Sequence, residues 1–307
     1  LHAAHKAPAA QDGAQGDALV GRAAGLAGDL PPLLARAWRL ADAVALGEQG
    51  RRAPGQGDAF WQFRPARPGD PARAIDWRRS ARSDQHFVQE KEWQLAQTVM
   101  LWADASASMQ FASRDDLEPK AVRAALVALA LSVLLIRGGE RVGLSGLPPG
   151  RGQVQLSRLA RALAGRLDKD MAATGTDYGT PGDTPVPRHA RAVFLSDFLG
   201  DLAPTREAVL RLADRDVRGA LVMILDPAEE AFPFQGRTIF QSMGRTLTFE
   251  TRRAADLRAR YQERLAARKA ALAELAGESG WTHLCHHTAD PAAQALLWLH
   301  HGLEVRA

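Results

Sequence analysis

From Thr98 onward the chain alternates short, unbroken apolar runs with longer stretches of helical periodicity. Val99-Met100-Leu101-Trp102-Ala103 and Ala192-Val193-Phe194-Leu195 carry no polar residue at either parity. A strand with one wet face alternates apolar and polar side chains, so these runs belong to strands covered on both faces. After the first run, Pro119 opens and Gly138-Gly139 closes an apolar helix over 119–137. The same reading predicts strands at 98–103, 141–147, 152–156, 191–196, 217–225 and 281–287, with a turn at Pro148-Pro149-Gly150. It predicts helices at 157–168, 204–215, 252–276 and 291–301, and a hairpin across 237–250 turning at Gly244. Leu257, Tyr261, Leu265, Leu272 and Leu275 form one stripe of the long helix. Strands alternating with helices imply an α/β fold, a doubly wound, mostly parallel sheet with right-handed crossovers.

The segments upstream divide differently. Residues 1–29 are rich in Ala, Gly and Gln, lack the apolar core of a signal peptide and read as a disordered tail. Residues 30–96 hold a short helix, with Leu33, Leu34, Ala37, Trp38, Leu40, Ala41 and Val44 at helical spacing, followed by an Arg-rich segment. Trp61, Phe63 and Phe87 have strand-like spacing and predict a small β-ribbon with residues 86–93. Residues 97–307 make the α/β domain. The net charge of +4 comes mostly from Arg, and no run of five or six like charges exists, which weighs against a nucleic-acid partner. The single cysteine, Cys285, forbids an intrachain disulfide. The apolar stretch 124–136 is interrupted by Ser132, flanked by Arg123 and Arg137, and too short to span a bilayer. A cytoplasmic protein without a membrane span is expected.

Asp104-Ala105-Ser106-Ala107-Ser108 leaves the C-terminal end of the first apolar run. In open α/β sheets ligands bind at that edge. A carboxylate and two hydroxyls at alternating positions suit a hard divalent cation, although the bare motif by itself reads more readily as a Ser-capped strand-to-helix turn. Two later segments, Gly175-Thr176-Asp177 and the strand-terminal Leu195-Ser196-Asp197, strengthen the cation reading. Together the three resemble the metal-ion-dependent adhesion site of von Willebrand factor type A domains, which takes a Thr from a second loop and an Asp from a third. The resemblance implies that Ser106, Ser108 and Thr176 bind the ion directly, with Thr174 as substitute for Thr176. Asp104 and Asp197 would bind directly or through water. Mg²⁺ suits so few protein ligands best, with Mn²⁺ or Ca²⁺ as alternatives, and one position stays open for a partner's Glu or Asp.

A second resemblance lies in residues 55–82. Gly55-Gln56-Gly57-Asp58-Ala59-Phe60, Arg64, and Pro68-Gly69-Asp70-Pro71-Ala72-Arg73-Ala74-Ile75-Asp76-Trp77-Arg78-Arg79-Ser80-Ala81-Arg82 are similar to the signature of the domain of unknown function 58 family. Asp58, where relatives carry Glu, and Pro65-Ala66-Arg67, where an aromatic is usual, depart from it. A larger departure is the loop after Thr176, where Pro181, Pro185 and Pro187 oppose the helix that type A domains place there. Members of this family lack a proven catalytic activity and are commonly encoded beside MoxR-type AAA+ ATPases. The resemblance implies a metal-dependent adaptor acting with such an ATPase, or with its client, in chaperone-like remodelling.

The Arg-rich block carries two readings. In one, Asp70 and Asp76 pair with Arg73, Arg78 or Arg82 while Trp77 packs on the sheet. In the other, Arg73, Asp76, Trp77, Arg78 and Arg82 form a docking surface for an acidic partner or for RNA. Two rival functions remain: metal-assisted hydrolysis, and nucleic-acid binding through this block. No His follows at a usable strand end, no Gly-x-Ser-x-Gly elbow exists and no phosphate loop is present, so no catalytic constellation is found. His283, Cys285 and His287 share one face of the last strand, but His283 and His287 would stand about 13 Å apart, too far to share one ion. The strand's histidines, His283, His286 and His287, read as sitting near the surface.

Overall fold

The computed structural model describes residues 32–49, 62–66, 75, 77–81, 85, 87–90, 97–167, 176–182, 185–241 and 248–304. The strands are β1 (Gln62–Pro65), β2 (Phe87–Glu90), β3 (Thr98–Ala103), β4 (Arg141–Leu144), β5 (Leu147–Gly150), β6 (Arg191–Ser196), β7 (Arg218–Leu225), β8 (Thr238–Gln241), β9 (Thr248–Thr251) and β10 (Thr282–His287). The helices are α1 (Pro32–Gln49), α2 (Trp77–Ser80), α3 (Lys120–Arg137), α4 (Gly152–Arg166), α5 (Ala203–Ala213), α6 (Pro227–Ala231), α7 (Arg258–Ser279) and α8 (Ala292–Glu304). Two compact units result: residues 46–96 form one, and residues 1–45 with 97–307 form the other.

The larger unit is built on a six-stranded sheet of order β10-β7-β6-β3-β4-β5, parallel except for the edge pair β4–β5. Its central strands β3, β6 and β7 bury both parities, as their unbroken apolar runs require. Val99, Leu101 and Ala103 face a core shared with Val193, Leu195, Val222 and Ile224 and with residues of α1, α3, α4 and α8. Met100 and Trp102 face the other core, with Phe194, Leu221, Met223 and residues of α5 and α7. There the Trp102, Phe194 and Trp281 rings meet edge to face, with centroids 5.5 and 5.2 Å apart. The mixed α/β architecture with a mostly parallel sheet is as expected. The stripe of α7 buries Leu265, Leu272 and Leu275.

Three expectations about the larger unit need correction. First, α1 does not group with the Arg-rich segment. Leu34, Ala37 and Ala41 are buried in the core beside α3, so the second unit is residues 46–96. Second, 152–156 is the start of α4, and the Pro-Pro-Gly run is the strand β5. Gly146, at φ +82°, closes a tight turn after β4, and the prolines are tolerated because β5 is an edge strand. Gln155, whose neighbours Val154 and Leu156 mimic strand alternation, donates from Nε2 to the carbonyls of Val142 and Pro148, both at 2.9 Å, and fixes the helix start. Third, His286 in β10 is buried. Burial, and then the nearby Arg123 charge, push its pKa down to about 4. The β8–β9 hairpin forms, while its expected turn at Gly244 lies outside the described residues.

In the smaller unit β1 and β2 pair antiparallel, Phe63 opposite Gln89 and Pro65 opposite Phe87, which is the ribbon expected from the aromatic spacing. The Phe87 N–H donates to Ser80 Oγ at 2.9 Å. Trp77 is 58% exposed, which corrects the expectation that it packs as a buried aromatic. Trp77→Ala should therefore cost about 1 kcal/mol or less, against the 3–5 kcal/mol typical of a fully buried large aromatic. Denaturant titration of the two forms checks this.

Candidate functional site

The C-terminal ends of the parallel strands bring the candidate ligands together. The Asp104 N–H donates to the Leu195 carbonyl at 2.9 Å, continuing the β3–β6 ladder one residue beyond β3. Asp104 is 4% exposed. Its Oδ1 accepts from the Ser106 N–H at 2.8 Å, which bends the chain back. Its Oδ2 accepts from Ser196 Oγ at 2.7 Å, which ties it to the tip of β6. The Ser106 and Ser108 hydroxyl oxygens then lie 3.3 Å apart at the mouth of the loop.

The second loop is stitched to the first through its backbone. The Thr176 carbonyl accepts from the Ala107 N–H at 3.2 Å, and the Asp177 carbonyl accepts from the Ser108 N–H at 2.9 Å. Thr176 itself is exposed, and its hydroxyl donates to the Tyr178 carbonyl at 2.9 Å. Thr174 lies outside the described residues. Gly179 passes so close to Asp104 that a Cβ there would sit 2.2 Å from Oδ1, so only glycine fits.

The third segment is the most elaborate. Asp197 is 1% exposed; its Oδ1 accepts from the Leu199 N–H at 3.1 Å and its Oδ2 from Lys120 Nζ at 2.9 Å. Lys120 is wholly buried at the first turn of α3 and donates a second time, to Glu229 Oε1, at 2.6 Å. Glu229 belongs to the capping box of α6, where it accepts from the Asp226 N–H while Asp226 accepts from the Ala228 N–H. Asp226 also accepts from the Ser113 N–H at 2.9 Å, closing the loop that began at Asp104.

Charge in this cluster is unbalanced. Burial raises the Asp104 carboxyl above its ordinary pKa, and the neighbouring Asp197 charge adds to the rise against the hydrogen bonds from Ser196 and Ser106. Glu229 is likewise raised by burial, opposed by Lys120. Burial alone would lower Lys120, but Asp197 and Glu229 together outweigh it and hold the ammonium above its usual range. Among the described residues Lys120 pairs with Asp197 and Glu229 only, while the buried Asp104 and Asp226 add further carboxylates nearby, a concentration of acidic groups that suits an added cation.

Of the residues expected from sequence, Asp104, Ser106, Ser108 and Asp197 gather at adjacent strand ends, and Thr176 joins them through its main chain. Arg73, Asp76 and Arg82 lie outside the described residues, while Trp77 and Arg78 are exposed in α2. Lys120, Glu229 and Ser196 were not foreseen. A signal for Lys120 existed: a lysine opening a helix is unfavourable against the helix dipole, so it calls for a buried counter-charge. Asp226-Pro227-Ala228-Glu229 reads directly as a capping box.

Residues 62–271 match the family described as "Protein of unknown function DUF58". That match covers more than half of the chain, which belongs to this family. The chain is 26% identical over 215 residues to "Uncharacterized protein Rv1480" of Mycobacterium tuberculosis, and to the same extent to "Uncharacterized protein Mb1516" of Mycobacterium bovis. Each alignment covers 65% of this chain and 65% of the relative's length. Among solved structures it is similar to the conserved hypothetical protein BatB from Bacteroides thetaiotaomicron, with TM-score 0.37, 13% identity and coverage of 66% of this chain and 96% of that one. It is also similar to an aerotolerance-related membrane protein from Bacteroides fragilis, with TM-score 0.42, 15% identity and coverage of 68% and 100%. Among the described residues, no helix of this chain is long and apolar enough to cross a membrane.

Proposed function

We propose that this chain is a von Willebrand factor type A-like protein-binding module that engages its partner through a divalent cation. The observation that carries the reading is the pair of hydroxyls, Ser106 and Ser108, 3.3 Å apart beside the desolvated Asp104 carboxylate and a loop containing Thr176. The residues present fit such an ion. The two Ser hydroxyls and the Thr176 hydroxyl keep lone pairs available. Asp104 and Asp197 already accept hydrogen bonds on both oxygens, so they act best through water. An oxygen-only set with few protein ligands favours Mg²⁺, with Mn²⁺ or Ca²⁺ possible. A bound ion here would act as an electrophile for an acidic ligand.

This chain's own residues then define the mode of binding. Neutral hydroxyls nearest the ion leave it net positive, so a Glu or Asp from the partner completes the shell and neutralises the charge. The partner we assign is a MoxR-type AAA+ ATPase or its client, acting in chaperone-like remodelling; family resemblance supports this. Surface plasmon resonance of the full chain against a MoxR-type AAA+ ATPase tests the reading. Binding is expected in Mg²⁺ and absent in EDTA. Ser106→Ala, Ser108→Ala and Thr176→Ala should each weaken it about tenfold or more, since loss of even an outer-shell partner costs that much in metal sites. Equal affinity in EDTA would move the interface elsewhere, with Arg73, Arg78 and Arg82 the next residues to mutate.

A further inference from the structure

At the same sheet edge, next to β10, a second cluster stands outside the site just described. Glu230 on α6, Cys285 in β10 and His287 at the end of β10 each offer one ligand atom, and the three atoms lie within 4.8 Å of one another. Along the strand alone, no two histidines could share an ion. The third group comes instead from the helix after the neighbouring strand β7. His287 Nε2 is 3.2 Å from Glu230 Oε2. That matches the edge of a tetrahedral zinc site, about 3.3 Å for nitrogen and oxygen ligands each about 2.0 Å from the metal.

Two further observations point to a cation. His287 Nδ1 lies 3.5 Å from Asp290 Oδ2. A carboxylate behind a ligating imidazole fixes its tautomer, aims the other nitrogen at the metal and raises its basicity. A cation also already occupies the cluster, because Lys269 from α7 donates to Glu230 Oε2. The Lys269 side chain is 26% exposed and the Glu230 side chain 43% exposed, so the ammonium can swing into solvent and an ion can enter.

We propose that Glu230, Cys285 and His287 form a transition-metal site, best suited to Zn²⁺, with Asp290 orienting His287 and Lys269 as the displaceable internal cation. Thiolate, imidazole and carboxylate together select a borderline-soft ion over Mg²⁺. Binding converts the Cys285 thiol to a thiolate, and the released proton goes to solvent. Three protein ligands leave the fourth position to water.

The test is optical titration of the tag-free full chain with Co²⁺, followed by displacement with Zn²⁺. In excess Mg²⁺, which fills the oxygen-only site, one equivalent should bind with a thiolate-to-cobalt charge-transfer absorption that Zn²⁺ abolishes. Cys285→Ser, which keeps the side-chain size, should remove that absorption. Asp290→Ala, which keeps all three ligands, should weaken binding about 10–100-fold. Lys269→Met should strengthen binding by removing the competing ammonium. Asp104→Asn should leave the absorption unchanged, which separates this site from the oxygen-only one. A wild-type titration without the charge-transfer absorption, or an absorption that survives Cys285→Ser, overturns the proposal.

Discussion

Replacing Lys120 by Met should destabilise the protein by about 3–5 kcal/mol at pH 8, the cost of removing one partner from a buried ion pair. Met keeps most of the volume, so packing loss is small and the effect reads the charge. Two buried carboxylates, Asp197 and Glu229, lose the ammonium that they share. The loss should depend on pH in a definite direction. In the wild type Lys120 has a raised pKa, so its contribution is present at every pH below its unfolded value of 10.5 and is lost only as pH rises through the folded value. In the variant, burial still raises Glu229, and only the hydrogen bond from the Asp226 N–H is left to oppose the rise. The folded state then holds a proton that the unfolded chain releases near 4.5, so stability falls as pH rises from there through the folded pKa. The destabilisation should thus be smaller at pH 5 than at pH 8. Glu229→Gln on the Lys120→Met background should recover part of it. Urea midpoints across this pH range give the measurement. A loss below about 1 kcal/mol, or one independent of pH, would mean that Asp197 and Glu229 are not held as a charged pair.

That arrangement marks the limit of what the residues alone convey. The strands β3 and β6 were legible because burial on both faces leaves an unbroken apolar run, a pattern stamped on consecutive residues. Asp104, Ser106, Ser108 and Asp197 were legible for the same reason, since they are where those runs stop. The partners of those residues were less so. Lys120 meets Glu229 across 109 positions of sequence, and nothing local to either encodes the pairing. Glu230 meets His287 across 57, through the adjacency of β7 and β10, so period-2 reasoning along β10 could only reject a shared ion. The start of α4 misled because Val154-Gln155-Leu156 alternates like a strand, while the burial of Gln155 is decided by the carbonyls of Val142 and Pro148. The grouping of α1 misled because chain proximity to the Arg-rich segment says nothing about its packing against α3.

Asp104→Asn should change stability with opposite signs in EDTA and in Mg²⁺. Without a metal, the wild-type carboxylate is buried beside Asp197, and its folded pKa is raised above the unfolded value of 3.8. A group raised in this way holds its proton more tightly in the folded state, so its ionised form destabilises the fold at neutral pH. Asn removes that charge, keeps an oxygen for the Ser106 N–H and presents an amide to Ser196 Oγ, which can accept from it. In EDTA at pH 7 the variant should therefore be at least as stable as the wild type. The comparison reverses when Mg²⁺ is added. An ion that binds only the folded state stabilises by mass action, about 2.7 kcal/mol at a concentration one hundred times its dissociation constant. The wild type should gain on that scale, and the variant should gain nothing, because the charge that draws the ion is gone. Thermal unfolding of both proteins in EDTA and in millimolar Mg²⁺ yields all four values. A purely structural Asp104 would lose stability equally in both buffers, and equal Mg²⁺ shifts in the two proteins would place the cation away from this strand end.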